Sequence, residues 1–127
     1  MNQESRKIKS FTDVIAWQKG HALVLDIYKM TNIFPPSEQF GLSNQLRRAA
    51  VSVTSNIAEG FSRKSYKEKV RFYYMALGSL TEAQNQLLVA KDVGYINKKQ
   101  FDDIAAKSVE INKITNALIK KSNSYTS

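Results

Sequence analysis

Residues 42–61 read LSNQLRRAAVSVTSNIAEGF, and their spacing decides the fold class. Leu42, Leu46, Ala50, Val53, Ile57 and Phe61 recur in steps of three and four, the period of one helical face; a strand would alternate every second residue. Beside that apolar stripe run Gln45, Ala49, Ser52, Asn56 and Glu59, all small or polar. Small residues let helix backbones approach closely, and polar ones at a seam fix register at some cost in stability. The segment is therefore a helix over about 43–61, built for two contacts. If the second contact is another copy of the chain, Gln45, Ala49, Ser52, Asn56 and Glu59 form the oligomer interface.

Upstream, Asn32-Ile33-Phe34-Pro35-Pro36-Ser37 forbids helix continuation, because proline lacks the amide and clashes with the preceding turn. It closes a first helix over about 14–32, capped near Thr12-Asp13. Two neighbouring seams mark that helix: Val14, Trp17, Val24 and Tyr28, and Ala16, Leu23, Ile27 and Met30. Downstream, Ser65-Tyr66-Lys67-Glu68 has the form of a reciprocal capping box and opens a third helix over about 65–93. Val70, Tyr73, Leu77, Leu80, Leu87 and Leu88 turn towards a core, and Gly94 supplies the left-handed cap. Asn97-Lys98-Lys99-Gln100 is a second capping box, stapled by Ile96 and Phe101, and starts a fourth helix over about 97–121. Its inner face is Phe101, Ile104, Ile111, Thr115 and Leu118. Every connection is short, so consecutive helices are antiparallel neighbours. The expected fold is all-α, an antiparallel up-down-up-down four-helix bundle forming one domain over residues 1–127. The ends, 1–11 and 122–127, are expected to be flexible.

At 127 residues, about two-thirds of the unfolded surface can be buried in one core. There is no cysteine, which excludes disulfides, thiol catalysis and Cys-ligated zinc. The first nine residues lack the apolar core of a signal peptide, and no apolar run approaches the ~18 residues that would span a bilayer. A soluble, cytoplasmic protein without a membrane partner is expected.

The sequence also points away from an enzyme. Four-helix bundles hold di-iron centres through Glu-x-x-His pairs, but the sole histidine, His21, has no Glu three residues before it. No arginine lies shortly before His21, as in small helical ribonucleases, and no Gly-x-Ser-x-Gly elbow is present. His21 shares the Trp17–Val24 seam and reads as a partly buried, hydrogen-bonded packing residue. Gly41, Gly60, Gly78 and Gly94 are too scattered for a phosphate-binding loop. No catalytic residue, metal, cofactor or small-molecule substrate is expected.

Charge is the more informative feature. Lys plus Arg total 19 against 11 acids, a formal +8, and such a field favours polyanions as well as solubility. Arg47, Arg48, Arg63, Lys64, Lys67, Lys69 and Arg71 face only Glu59 and Glu68 in the same span, and five of the seven lie between residues 63 and 71. Phe61 and Tyr66 are interleaved among them. Arginine forks suit phosphates and exposed aromatics stack on unpaired bases, so these seven residues are the candidate nucleic-acid-binding surface. Against this, charge runs are usually solvated faces, and Arg63 can pair with Glu59 one turn earlier. Arg48 and Glu59 are about three turns apart on one side of their helix, where a second helix or subunit would match their charges.

Several ordered motifs also carry a likeness. Ala16-Trp17-Gln18-Lys19, Phe34-Pro35 with Glu38 and Phe40-Gly41-Leu42, Gln45-Leu46-Arg47-Arg48-Ala49-Ala50, Ser55-Asn56-Ile57-Ala58-Glu59-Gly60, Gly78-Ser79-Leu80-Thr81-Glu82 and Gly94-Tyr95 together resemble the bacterial four-helix bundle proteins encoded in intervening sequences of 23S rRNA genes. The accessory variability proteins of diversity-generating retroelements share that fold. The likeness spans Phe11 to Leu118. It implies a ring-like homopentamer, associated in some relatives with RNA or a reverse transcriptase, and it implies no enzymatic activity. Two positions depart from the family pattern: Gly20 where alanine is common, and Thr54 where a proline often stands.

Together these features lead to a non-enzymatic, homo-oligomeric helical scaffold that binds nucleic acid, most plausibly RNA, through its basic surface. The alternative is a protein–protein adaptor whose charge serves solubility.

Overall fold

In the computed structural model, which describes residues 8–125, the chain is four helices with no strand among the described residues. They are α1 (Ile15–Thr31), α2 (Leu42–Ser62), α3 (Tyr66–Asp92) and α4 (Lys98–Asn123). Short 3-10 turns at Phe11–Asp13 and Pro36–Glu38 precede α1 and α2. Each helix packs on its sequence neighbours and α4 returns to α1, while the diagonal pairs α1/α3 and α2/α4 stay apart. This is a square, antiparallel bundle. Leu23 and Ile27, Leu46, Val53 and Ile57, Tyr73, Leu80 and Leu87, and Ile104, Ile111 and Ile119 meet at its centre.

The ends of the helices follow their caps. Ser65 Oγ accepts from the Glu68 amide at 3.2 Å, but Glu68 does not reach back, so that box is half formed. The Asn97–Gln100 box is complete, with both bonds at 2.8 Å. Gly94 adopts φ +89°, and the Tyr95 amide closes onto the Ala90 carbonyl at 2.9 Å. At the other end Ser10, not Thr12, is the cap: it accepts from the Thr12 amide, and Asp13 returns to the Ser10 amide. That box serves the 3-10 turn, and α1 itself starts from Val14 without a side-chain cap.

Three expectations change. Tyr28 and Leu88, placed on core seams from the sequence, are 42% and 43% exposed. Leu87 already fills the core position, and the next residue is rotated about 100° away. His21 is exposed, not partly buried, and stacks flat on Trp17 with centroids 4.7 Å apart. Of the ends expected to be flexible, residues 1–7 and 126–127 lie outside the described residues. Within the described part, Ser10 is capped into a turn and α4 continues to Asn123 with Ser122 buried.

Candidate nucleic-acid interface

The α2–α3 junction is made by Arg63, Lys64 and Ser65, and its geometry sorts the basic residues into engaged and free. Lys69 folds back from the first turn of α3, and its Nζ donates to the Phe61 carbonyl at 2.5 Å and the Gly60 carbonyl at 3.5 Å. It thereby satisfies the Phe61 carbonyl at the end of α2 and shares the Gly60 carbonyl with the Arg63 amide. Desolvation lowers the Lys69 pKa from the usual lysine value. Arg63 is ion-paired to Glu59 at 3.1 Å and lies 4.5 Å from the centre of the Phe72 ring. Glu59 therefore serves Arg63, one turn away, and not Arg48.

Arg47 is engaged at the opposite end of the bundle. Its Nε donates to Thr31 Oγ1 at 2.8 Å, a second nitrogen donates to Asn32 Oδ1 at 3.0 Å, and the guanidinium covers the Tyr28 ring at 4.7 Å. It locks the start of α2 to the end of α1. Arg48 is exposed beside it, in an open groove of about 570 Å³ shared with Tyr28, Asn44, Val51 and Ser55.

Lys64, Lys67 and Arg71 remain exposed and without an ion pair among the described residues. Tyr66 stands between them, and its ring meets Tyr125 at 4.7 Å. That contact brings the end of α4, with exposed Lys120 and Lys121, to the same end of the bundle. Those two lysines were not among the candidates from sequence. Their signal was topological: in an up-down-up-down bundle the fourth helix ends beside the α2–α3 turn.

The small and polar stripe of α2 makes its second contact with α3 of the same chain. Ser52 Oγ and Ser79 Oγ are 2.8 Å apart, and Asn56 Nδ2 donates to the Ser52 carbonyl at 2.9 Å. Ala49 is buried in the protomer's own core, so of the five residues only Gln45 and Glu59 are exposed.

This fold and chain pattern have relatives. Residues 12–117 match the family model of the 23S rRNA-intervening sequence proteins. The chain belongs to that family. A crystal structure of a protein of unknown function, from the S23 ribosomal protein family of Bacteroides thetaiotaomicron VPI-5482, is similar at 26% identity and a TM-score of 0.75. The similarity covers 84% of this chain and 99% of that one. No curated protein matches. In this 23S rRNA-intervening sequence protein the family match takes in the whole α2–α3 junction but stops before Lys120 and Lys121. Its described residues hold no cluster of His, Cys, Asp or Glu that could bind a metal, and no helix among them is long and apolar enough to cross a membrane.

Proposed function

We propose that this protein is a non-enzymatic, self-associating scaffold that binds RNA at the basic end of the bundle. The observation that carries the proposal is that Lys64, Lys67 and Arg71 are exposed and unpaired beside Lys120 and Lys121, with Tyr66 among them. Phosphates would meet the cations and unpaired bases the aromatic ring. Arg47, Arg63 and Lys69 are structural in this scheme. The likeness to ring-forming relatives supports a homopentamer, and assembly would multiply a weak basic patch into an avid surface. RNA is favoured over a protein partner such as a reverse transcriptase because the free groups at this end are cations.

The test is Lys64→Glu/Lys67→Glu/Arg71→Glu against Arg47→Gln, with RNA binding followed by fluorescence anisotropy across salt concentrations. Wild type should bind at about 10⁻⁴–10⁻⁶ M per subunit, with a log–log salt slope of about 0.7–0.9 per phosphate. The triple variant should lose binding with native helicity, and Arg47→Gln should keep it while melting lower. Affinity unchanged in the triple variant, or indifferent to salt, would return the charge to solubility and favour the adaptor.

A further inference from the structure

We infer that the RNA bound at the basic end is an unpaired strand, and that it runs from there along the groove between α3 and α4, over Tyr66, Tyr125 and Tyr74. This deepens the function proposed above and rests on it. Two contacts set the register of the antiparallel pair. Gln84 Nε2 donates to Ser108 Oγ at 3.0 Å, and the Tyr66 and Tyr125 rings meet at 4.7 Å. Forward from Tyr66 and backward from Tyr125, level residues reach Gln84 and Ser108 to within one residue, so both contacts share one register. On it Lys120 lies about 7.5 Å along the axis from the tyrosine pair, Tyr74 about 12 Å and Lys113 about 18 Å. A track of about 18 Å holds about five nucleotides at ~3.4 Å each.

The helical period puts these side chains on one face. Lys67 and Tyr74 are seven residues apart on α3, as are Lys113 and Lys120 on α4, which is two full turns to within about 20°. The same two ridges continue to Leu88 and Val109, which line the groove farther along with Ala105. Tyr66, Tyr74 and Tyr125 are 41%, 56% and 58% exposed. Lys67, Lys113 and Lys120 are exposed, and none has a side-chain hydrogen bond or ion pair among the described residues. The acids within 66–79 and 108–125 are directed elsewhere. Glu110 pairs with Lys19 of α1 at 3.5 Å, and Glu68 stands about 200° around α3 from Tyr66.

Along the groove, ring and cation therefore alternate: Tyr66 with Tyr125, then Lys120, Tyr74 and Lys113. A single strand offers the same alternation of base and phosphate, and base–aromatic stacking is tolerant of sequence because every base has a π-face. A duplex cannot use the tyrosines, since its bases are stacked on one another and A-form RNA shows only their edges. It would meet the lysines alone.

The experiment is fluorescence anisotropy of the full chain with an unstructured labelled RNA strand and with an RNA duplex of the same length, and circular dichroism to confirm folding. Wild type should prefer the single strand. Tyr74→Leu and Tyr125→Leu should each weaken single-strand binding about 5- to 150-fold, the range for losing one stacked base, with the salt slope and duplex binding unchanged. Lys113→Gln/Lys120→Gln should weaken it too, and should lower the log–log salt slope by about 1.4, two contacts at ~0.7 each. If all these variants bind the strand as wild type does, while Lys64→Glu/Lys67→Glu/Arg71→Glu does not bind, RNA is held at the junction alone. The groove is then overturned and the proposed function stands. A wild type that prefers the duplex overturns the groove in the same way. A wild type that binds neither RNA overturns both.

Discussion

Gly60 lies against the ring of Tyr73, and a Cβ at position 60 would come within 2.6 Å of Tyr73 Cε1. Both residues are buried, so the ring has no open direction in which to yield. Gly60→Ala should destabilise the protein by about 1–3 kcal/mol, measured by urea denaturation, in spite of alanine's better helix propensity. Gly20 and Thr54, the two departures from the family pattern, touch each other: a Cβ on Gly20 would sit 3.0 Å from Thr54 Cγ2. The glycine makes room for the threonine methyl where α1 crosses α2. Gly20→Ala should therefore recover little of the ~1 kcal/mol propensity gain in the natural background, and more of it beside Thr54→Ser. A double-mutant cycle should give a coupling of about 0.5 kcal/mol or more. Additive effects would separate the two positions.

At the scale of an element, the start of α2 depends on a residue outside it. Glu38 accepts the Leu42 amide at 3.0 Å with one carboxylate oxygen and the Tyr95 hydroxyl at 2.7 Å with the other. One side chain thus caps α2 and ties the α1–α2 connection to the turn after α3. The Leu42 amide first, and the Tyr95 hydroxyl second, hold the Glu38 pKa below its usual value. The folded state therefore favours the ionised carboxylate. This contribution is complete above the ordinary carboxylate range and is lost as pH falls through the lowered folded value. Glu38→Gln should be less stable than wild type at neutral pH, and the gap should close as pH falls below the ordinary carboxylate range and through the lowered folded value. Denaturation at a series of pH values checks this; a gap constant with pH would assign the effect to shape and not to charge.

Across the whole molecule, charge is distributed along the bundle axis. Lys64, Lys67, Arg71, Lys120 and Lys121 stand free at the α2–α3 end, whereas Lys98 and Lys99 at the far end are paired with Asp102 and Asp103. Exposed pairs of that kind contribute little to stability, but they offset the charge of these two lysines, so that Arg48 is the exposed arginine left unpaired at the far end. Self-association, as proposed, would bring several of these free basic ends into one assembly. If copies associate as proposed, dilution below the assembly concentration should leave the affinity of each subunit for RNA unchanged and weaken the assembled protein's binding by about 10²–10⁴-fold. Anisotropy titrations above and below the assembly concentration distinguish the two contributions. Equal affinity in both ranges would mean that RNA meets one subunit at a time.

Helical period, proline breaks and capping residues act over three or four neighbours, so the four helices were legible outward from residues 42–61, to within three residues at each end. Short connections then left the antiparallel bundle as the arrangement that buries every apolar stripe. Which charges are free is a different kind of fact. Arg47 is spent on Thr31, sixteen residues earlier, and Lys69 on Phe61, eight residues back. Lys120 and Lys121 join the basic end because α4 packs antiparallel on α3 and finishes there, where Tyr125 meets Tyr66. The stripe from Gln45 to Glu59 was legible as a second contact, but a period says which residues share a face and not what lies against it. Tertiary packing decided that the partner is α3, through Ser52 and Ser79, because a buried polar group finds its hydrogen bond wherever the fold brings one within reach.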